Sequence, residues 1–172
     1  MGDYMKSNAG NNAVVVLTAR GFDTVLRDGG SQAWVLDAKR ARTCQYVVCV
    51  QNHGFANDWG HVTAPHHAAF LVGRLKSVEP SQEEDCENRW ILKFSEYAVI
   101  DIPNAWPGNR NPVYYAELES LGIDINRLEF RPMPTSSQEE SPLKPLSLAE
   151  AKAGLALTFG VDVGAIEIVV RY

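Results

Sequence analysis

The sequence has no long hydrophobic run, and no stretch approaches the roughly 18 apolar residues that a membrane-spanning helix needs. It has no glycine-rich phosphate loop, which argues against nucleotide hydrolysis. Its N-terminus lacks the basic and then apolar segments of a secretory signal. Only three cysteines occur, none in a Cys-x-x-Cys pair, so we interpret them as reduced side chains. These absences predict a cytoplasmic protein that makes no contact with a membrane.

Positive charge is scarce, since 16 Lys and Arg face 21 Asp and Glu and the formal net charge is −5. The imbalance is uneven: residues 1–76 carry eight basic and five acidic side chains, whereas residues 77–172 carry eight and sixteen. The first half is therefore mildly basic, at +3, and it keeps nucleic-acid binding open, because Lys and Arg neutralise phosphates. The second half, at −8, would allow a protein partner with a basic surface.

Histidine is abundant in one place only. All four histidines, His53, His61, His66 and His67, fall within fifteen positions between two strongly apolar runs. The stretch is also rich in Asn, Gly and aromatic residues, which is typical of a long loop between core strands. Because long loops on a rigid scaffold often carry binding or catalytic residues, we expect this loop to line the functional site.

Apolar, β-branched runs alternate with short helical patterns along the chain. We predict strands at 13–17, 45–51, 68–78, 90–94, 98–102, 128–131 and 165–171. Helices are predicted at 22–28, 37–42, 113–121 and 147–159. Strand 45–51 contains no charge and should be central. Neighbouring strands with brief helices predict an α+β fold, namely a small mixed or antiparallel barrel-like sheet with short helices and a C-terminal helix–strand appendage.

The composition divides the chain into four segments. Residues 1–12 are predicted to be a disordered polar arm, residues 13–134 the main domain, and the Ser-, Glu- and Pro-rich residues 135–146 a linker. Residues 147–172 form the helix–strand unit, which we expect to pack on the main domain. The alternative for this unit is that its apolar stripe binds a partner.

Two catalytic or metal-dependent hypotheses for the histidine loop receive weak support. Asp58 could complete a metal site with His53 and His61, but no recognised ligand spacing is present, so we expect neither metal nor cofactor. His53 or His66 could shuttle protons with Asp58, Glu96 or Asp101 as the orienting carboxylate. No nucleophile motif accompanies them, and no catalytic residue is assigned.

Recognition of a flat ligand is the third hypothesis. A nucleic-acid base is held by stacking on an aromatic side chain and by polar groups that read its edge. Histidine, tryptophan, tyrosine and asparagine combine both properties. The candidate ligand-binding residues are Trp34, Asn52, His53, Trp59, His61, His66, His67 and Tyr97.

The order of elements resembles the PUA-like superfamily, in particular its EVE and ASCH domains. The resemblance covers about residues 13–131 and is carried by the segments 14–17, 22–27, Trp34, 38–42, 46–52, 70–78, 90–94 and 111–118. The superfamily typically binds RNA or flipped, often modified, DNA bases in an aromatic pocket, and some ASCH members are hydrolases. The resemblance implies that Trp34 and Tyr97 stack on the base and that Asn52 and His53 read its edge. It also implies that three cations steady the phosphates: Lys39, Arg40 and Arg42.

The sequence therefore favours a non-catalytic binding module for a base of RNA or DNA, exposed or flipped, or for a similar planar ligand. The first alternative is a small hydrolase or nuclease that uses the loop from His53 to His67. The second is an interaction protein of a mobile element that engages a basic protein partner through its acidic surface.

Overall fold

The structure is a computed structural model that describes residues 12–54, 60–134 and 146–171. The chain divides into two compact units, Met1–Pro134 and Thr135–Tyr172. The predicted arm up to residue 11 and the predicted linker over residues 135–145 lie outside the described residues.

One curled, mixed sheet forms the first unit. Its strand order is β2-β5-β4-β3-β1-β6, and β7 pairs with β5 as well. β1 and β3 are parallel, whereas the other pairs are antiparallel. The small α+β fold with a half-closed mixed sheet is thus confirmed. The strands are β1 Ala13–Thr18, β2 Gly30–Trp34, β3 Tyr46–Gln51, β4 Ala69–Pro80, β5 Trp90–Ile102, β6 Val113–Ala116 and β7 Arg131–Pro132.

Short helices connect these strands. The α-helices are α1 Phe22–Asp28, α2 Ala38–Ala41 and, in the second unit, α3 Leu148–Phe159. Single 3₁₀ turns occupy Leu118–Leu121, Ile125–Arg127 and Val163–Ala165. The predicted ends of two helices agree with the structure where a cap is present. Gly29 ends α1 with a left-handed φ of 77°, and the Asp37 carboxylate accepts hydrogen bonds from the backbone N–H groups of Lys39 and Arg40 at the start of α2.

The sheet is buried on both faces, and β3 is its centre. β3 lies between β1 and β4, and every residue of it except Tyr46 is buried, as its uncharged sequence predicts. Val47 and Cys49 belong to the core under α1 and α2, whereas Val48 and Val50 belong to the opposite core. The alternation follows from the two-residue period of a strand.

Five predicted elements were wrong or incomplete. The helix predicted at 113–121 is strand β6 followed by a 3₁₀ turn, because Val113-Tyr-Tyr-Ala116 pairs with the open edge of β1. The two strands predicted within 90–102 are one continuous strand, β5. Of the strand at 128–131, only Arg131 pairs, as part of the two-residue β7. The strand predicted at 165–171 is absent from the described residues, which show a 3₁₀ turn at Val163–Ala165. Strand β2 was not predicted.

The second unit contains a well-capped but apolar helix. Ser147 and Glu150 form a reciprocal capping box at the start of α3, and Gly160 ends the helix. Within α3 only Ala156 is buried, whereas Leu157 and Phe159 are 86% and 68% exposed.

Candidate functional site

The amide of Gln51, at the end of β3, fixes the start of the site. Gln51 is fully buried, and its Nε2 donates hydrogen bonds to the carbonyl oxygens of Thr18 (2.9 Å) and Arg20 (3.2 Å). Its Oε1 lies 3.4 Å from the backbone nitrogens of Thr63 and Ala64, which donate to it. One side chain therefore joins the end of β1 to the histidine loop.

Two glycines allow the loop to approach the main chain closely. Gly21 donates its N–H to the carbonyl of Gly60 at 2.7 Å. A Cβ on Gly60 would lie 2.0 Å from the carbonyl oxygen of Ala19, and one on Gly21 would lie 1.8 Å from that of His61. Since atoms cannot approach so closely, both positions require glycine.

Three histidines meet just beyond this junction; we call His53, His66 and His67 the histidine cluster. The backbone N–H of His53 donates to Nδ1 of His66 at 3.0 Å, and Nε2 of His53 lies 2.6 Å from the carbonyl oxygen of Ala64. The rings of His66 and His67 are stacked, with centroids 3.8 Å apart, and those of His53 and His66 meet edge to face at 5.7 Å. The loop therefore brings together two residues at its end and one at its start.

These contacts determine the tautomers of two rings. A carbonyl oxygen only accepts, so Nε2 of His53 carries a proton, and Nδ1 of the neutral tautomer is then an acceptor. Nδ1 of His66 accepts an N–H, so its neutral ring carries the proton on Nε2. Desolvation, followed by the charges of His67 and His53, lowers the pKa of His66, which favours this neutral form. The cluster thus offers one acceptor and one donor.

Two other candidates, Asn52 and Tyr97, lie outside this cluster. Asn52 is half-buried and uses its Oδ1 to accept from the N–H of Gly54. Tyr97 contacts Phe22 edge to face at 5.8 Å, and Phe22 in turn donates its N–H to the Thr63 hydroxyl of the loop.

The remaining two histidine-loop candidates differ from the cluster. His61 is exposed and takes part in no ring contact with the cluster in the described residues, although its backbone, like that of His67, adopts an unusual positive φ. Trp59 lies outside the described residues.

The structure does not bring Trp34 and Tyr97 together. Trp34 lies opposite Trp90 at the first residue of β5, and its Nε1 donates to Ser31. Tyr97 is seven residues further along that strand, about 20 Å away at the rise of a β-strand. Of the two, Tyr97 contacts a residue that is hydrogen-bonded to the histidine loop, and stacking of both rings on a base stays a prediction.

The three predicted phosphate-binding cations are also apart from the cluster. They belong to or follow α2, which precedes β3, whereas the histidines follow it. The guanidinium of Arg40 lies 3.9 Å from the Tyr115 ring centroid, and that of Arg42 lies 5.4 Å from that of Trp90. β3 spans about 17 Å, so the predicted phosphate-binding cations and the histidine loop lie near opposite ends of this strand.

No protein-family model, curated protein or solved structure matches the chain. The similarity to the PUA-like superfamily therefore stays a prediction, and the function has to be argued from the geometry.

The carboxylates considered for acid–base chemistry are placed elsewhere. Glu96 forms an ion pair with Arg74 at 2.8 Å, and Asp101 is exposed; Asp58 lies outside the described residues. Within the ranges that the structure describes, no carboxylate bonds to an imidazole, and no group of three His, Cys, Asp or Glu could hold a metal ion. Cys49 is a core residue, and its burial raises the pKa of the thiol to about 12.

Two sets of side-chain contacts near the site, those of Gln51 and Arg20, were not predicted from the sequence. Gln51 was interpreted only as the end of a strand, although a buried amide after an uncharged run is a signal for such a role. Arg20 is 6% exposed and makes a bidentate ion pair with Glu83 and a second pair with Asp28, both shorter than 3 Å. The acidic segment between β4 and β5, to which Glu83 belongs, is thus attached to the end of β1.

The described helices also bear on the membrane prediction. Over residues 12–54, 60–134 and 146–171, no helix is long and apolar enough to cross a bilayer.

Proposed function

We propose that the protein is a non-catalytic binding module that holds a planar heteroaromatic group, such as an exposed base of RNA or DNA, at the histidine cluster. The observation that carries the proposal is the meeting of three imidazoles whose ring contacts are to one another and to backbone groups.

The cluster has the two properties that recognition of a base needs. The stacked rings of His66 and His67 offer a flat surface, and stacking contributes roughly 1–3 kcal/mol per base. The acceptor on His53 and the donor on His66 match the alternating donors and acceptors along a base edge. Tyr97 provides a further aromatic ring on the neighbouring side of the loop.

Binding is a better supported function than hydrolysis. General-base catalysis by histidine is usually assisted by a carboxylate that orients the ring, as in the serine protease triad. Here the ring nitrogens of His53 and His66 are instead bound to backbone groups, and Glu96 is paired with Arg74. The resemblance to PUA-like domains points in the same direction.

The test is a binding screen with short single-stranded RNA and DNA oligonucleotides that carry unmodified or modified bases. His66→Ala removes the donor and one stacked ring, and we expect it to weaken binding of the preferred base about tenfold, equivalent to about 1.4 kcal/mol. His61→Asn is the matched control, since Asn tolerates positive φ and His61 makes no ring contact with the cluster.

Two results would contradict the proposal. Equal affinity of the wild type for all bases and for an abasic strand would exclude base recognition. Cleavage or modification of the oligonucleotide that depends on His66 would show that the site is catalytic.

A further inference from the structure

Basic side chains concentrate, without acidic partners, at one place in the described structure. Five cations elsewhere form ion pairs with carboxylates: Arg20, Arg27, Arg74, Lys93 and Arg127. The three exposed cations Lys39, Arg40 and Arg42, which we call the α2 surface, have no carboxylate within 4.0 Å among the described residues. The nearby Asp37 carboxylate is occupied by the backbone N–H groups of Lys39 and Arg40.

Two of these side chains are held in position by the fold. Arg40 lies over the Tyr115 ring, and the Tyr115 hydroxyl donates to the carbonyl oxygen of Asp37. Arg42 lies over Trp90 and donates one N–H to the carbonyl oxygen of Val78 at 3.0 Å. Each guanidinium carries five N–H donors, so donors remain for a ligand, and less side-chain entropy is lost when one binds.

Helix α2 and Ala64 of the histidine loop pack against the same face of the sheet. Ala38 and Ala41 of α2 pack against the core cluster that also contacts Ala64 of the histidine loop. α2 precedes the buried strand β3, and the histidine loop follows it. The length of β3, about 17 Å, corresponds to about five phosphates at 3.4 Å per nucleotide of a stacked strand.

We infer that the α2 surface binds the phosphodiester backbone of a polynucleotide, at a contact separate from the histidine cluster. That the bound polyanion is a polynucleotide rests on the proposed function, whereas the claim that the α2 surface binds a polyanion rests on its unpaired charges. The ligand is consequently a polymer that reaches both places, and not a free nucleoside or nucleotide.

The experiment uses the full-length chain and an abasic oligodeoxynucleotide, which offers phosphates without bases. We expect Lys39→Gln/Arg40→Gln/Arg42→Gln to weaken binding at low salt and to lower the slope of log affinity against log salt by about 2, because three phosphate contacts on a single strand are lost. The control, Arg110→Gln/Arg127→Gln/Arg171→Gln, removes the same charge from exposed sites and should retain the slope.

A second variant separates charge from structure. Arg40→Lys/Arg42→Lys keeps all three charges, so the salt slope should persist although the flat guanidinium contacts are lost. With oligodeoxyadenylates of increasing length, whose bases stack at this spacing, wild-type affinity should rise until the strand has about five phosphates.

The outcomes distinguish this inference from the proposed function. It is overturned if the wild type does not bind the abasic strand, if the charge-matched control loses as much binding, or if the lysine variant loses the slope. If base selectivity is absent but these results hold, only recognition at the histidine cluster is refuted.

Discussion

The two ends of β3 differ in charge and in the way their side chains are held. After the strand, three imidazoles are placed by hydrogen bonds to backbone groups and by glycines that let two backbone segments touch. Before the strand, three cations are placed by one helix cap and by aromatic rings on the surface. The first arrangement fixes positions closely, and the second concentrates charge with less precision.

The difference matches a division of labour between reading a base and attracting a backbone. Edge recognition depends on hydrogen bonds whose geometry is exact, whereas phosphate attraction depends mainly on the number of charges. It also means that a variant can disable one end and spare the other.

The largest effect is expected from Gly60→Ala. Its Cβ would overlap the carbonyl oxygen of Ala19, so the loop must move, at a cost of about 3 kcal/mol in the free energy of unfolding. Base selectivity should be lost while binding to an abasic strand remains. Denaturant unfolding measures the first effect, and binding measures the second.

Gly154→Ala is the matched control for that variant. A Cβ there meets no atom within 4 Å, and Gly154 lies inside α3, so stability should be unchanged or should rise. Equal destabilisation by both substitutions would contradict the role given to the contact at Gly60.

A smaller effect is expected at the other end of β3. Asp37→Ala removes the cap of α2 and should cost about 1 kcal/mol of stability, whereas Asp37→Ser removes the same charge and keeps a capping oxygen. If the cap positions the cations, the alanine variant binds an abasic strand less tightly than the serine variant. Equal affinity would show that charge alone matters.

The smallest effect concerns pH. Because the folded state lowers the pKa of His66, the unfolded chain binds its proton first as the pH falls below about 6.5. The stability present above that pH therefore declines as the pH falls through the folded-state pKa. Protonation of Nδ1 also breaks the bond from the His53 N–H.

Urea unfolding at neutral and mildly acidic pH measures this decline. It should be smaller in His66→Gln than in the wild type, whereas His61→Asn should preserve it. An unchanged pH response in His66→Gln would remove His66 as its source.

Sequence patterns correctly predicted the structural features that depend on residues close together in the chain. Neighbouring residues were enough to predict the helix ends at Gly29, Asp37 and Ser147, and the absence of charge was enough to predict that β3 is buried. The segments that failed depend on pairing partners: the sequence of β6 suits a helix or a strand until the edge of β1 is known, and residues 165–171 alternate as a strand does but have none in the described structure.

The candidate site was predicted in part for the same reason. The clustering of histidines along the chain placed the loop, and the structure brings three of the four together. Which aromatic and basic residues surround them depends on strand register and direction, which periodicity does not reveal. Trp34 pairs with Trp90 of β5, and Tyr97 belongs to the same strand but lies seven positions further along it.

The four bonds of the Gln51 amide have a consequence for engineering the protein. Most surface loops can be exchanged or lengthened at little expense, but the backbone at Thr63 and Ala64 completes the solvation of a group that no water reaches. Grafting a foreign segment there would leave an interior amide half satisfied, so transplants that keep those two N–H donors should fold better than those that do not.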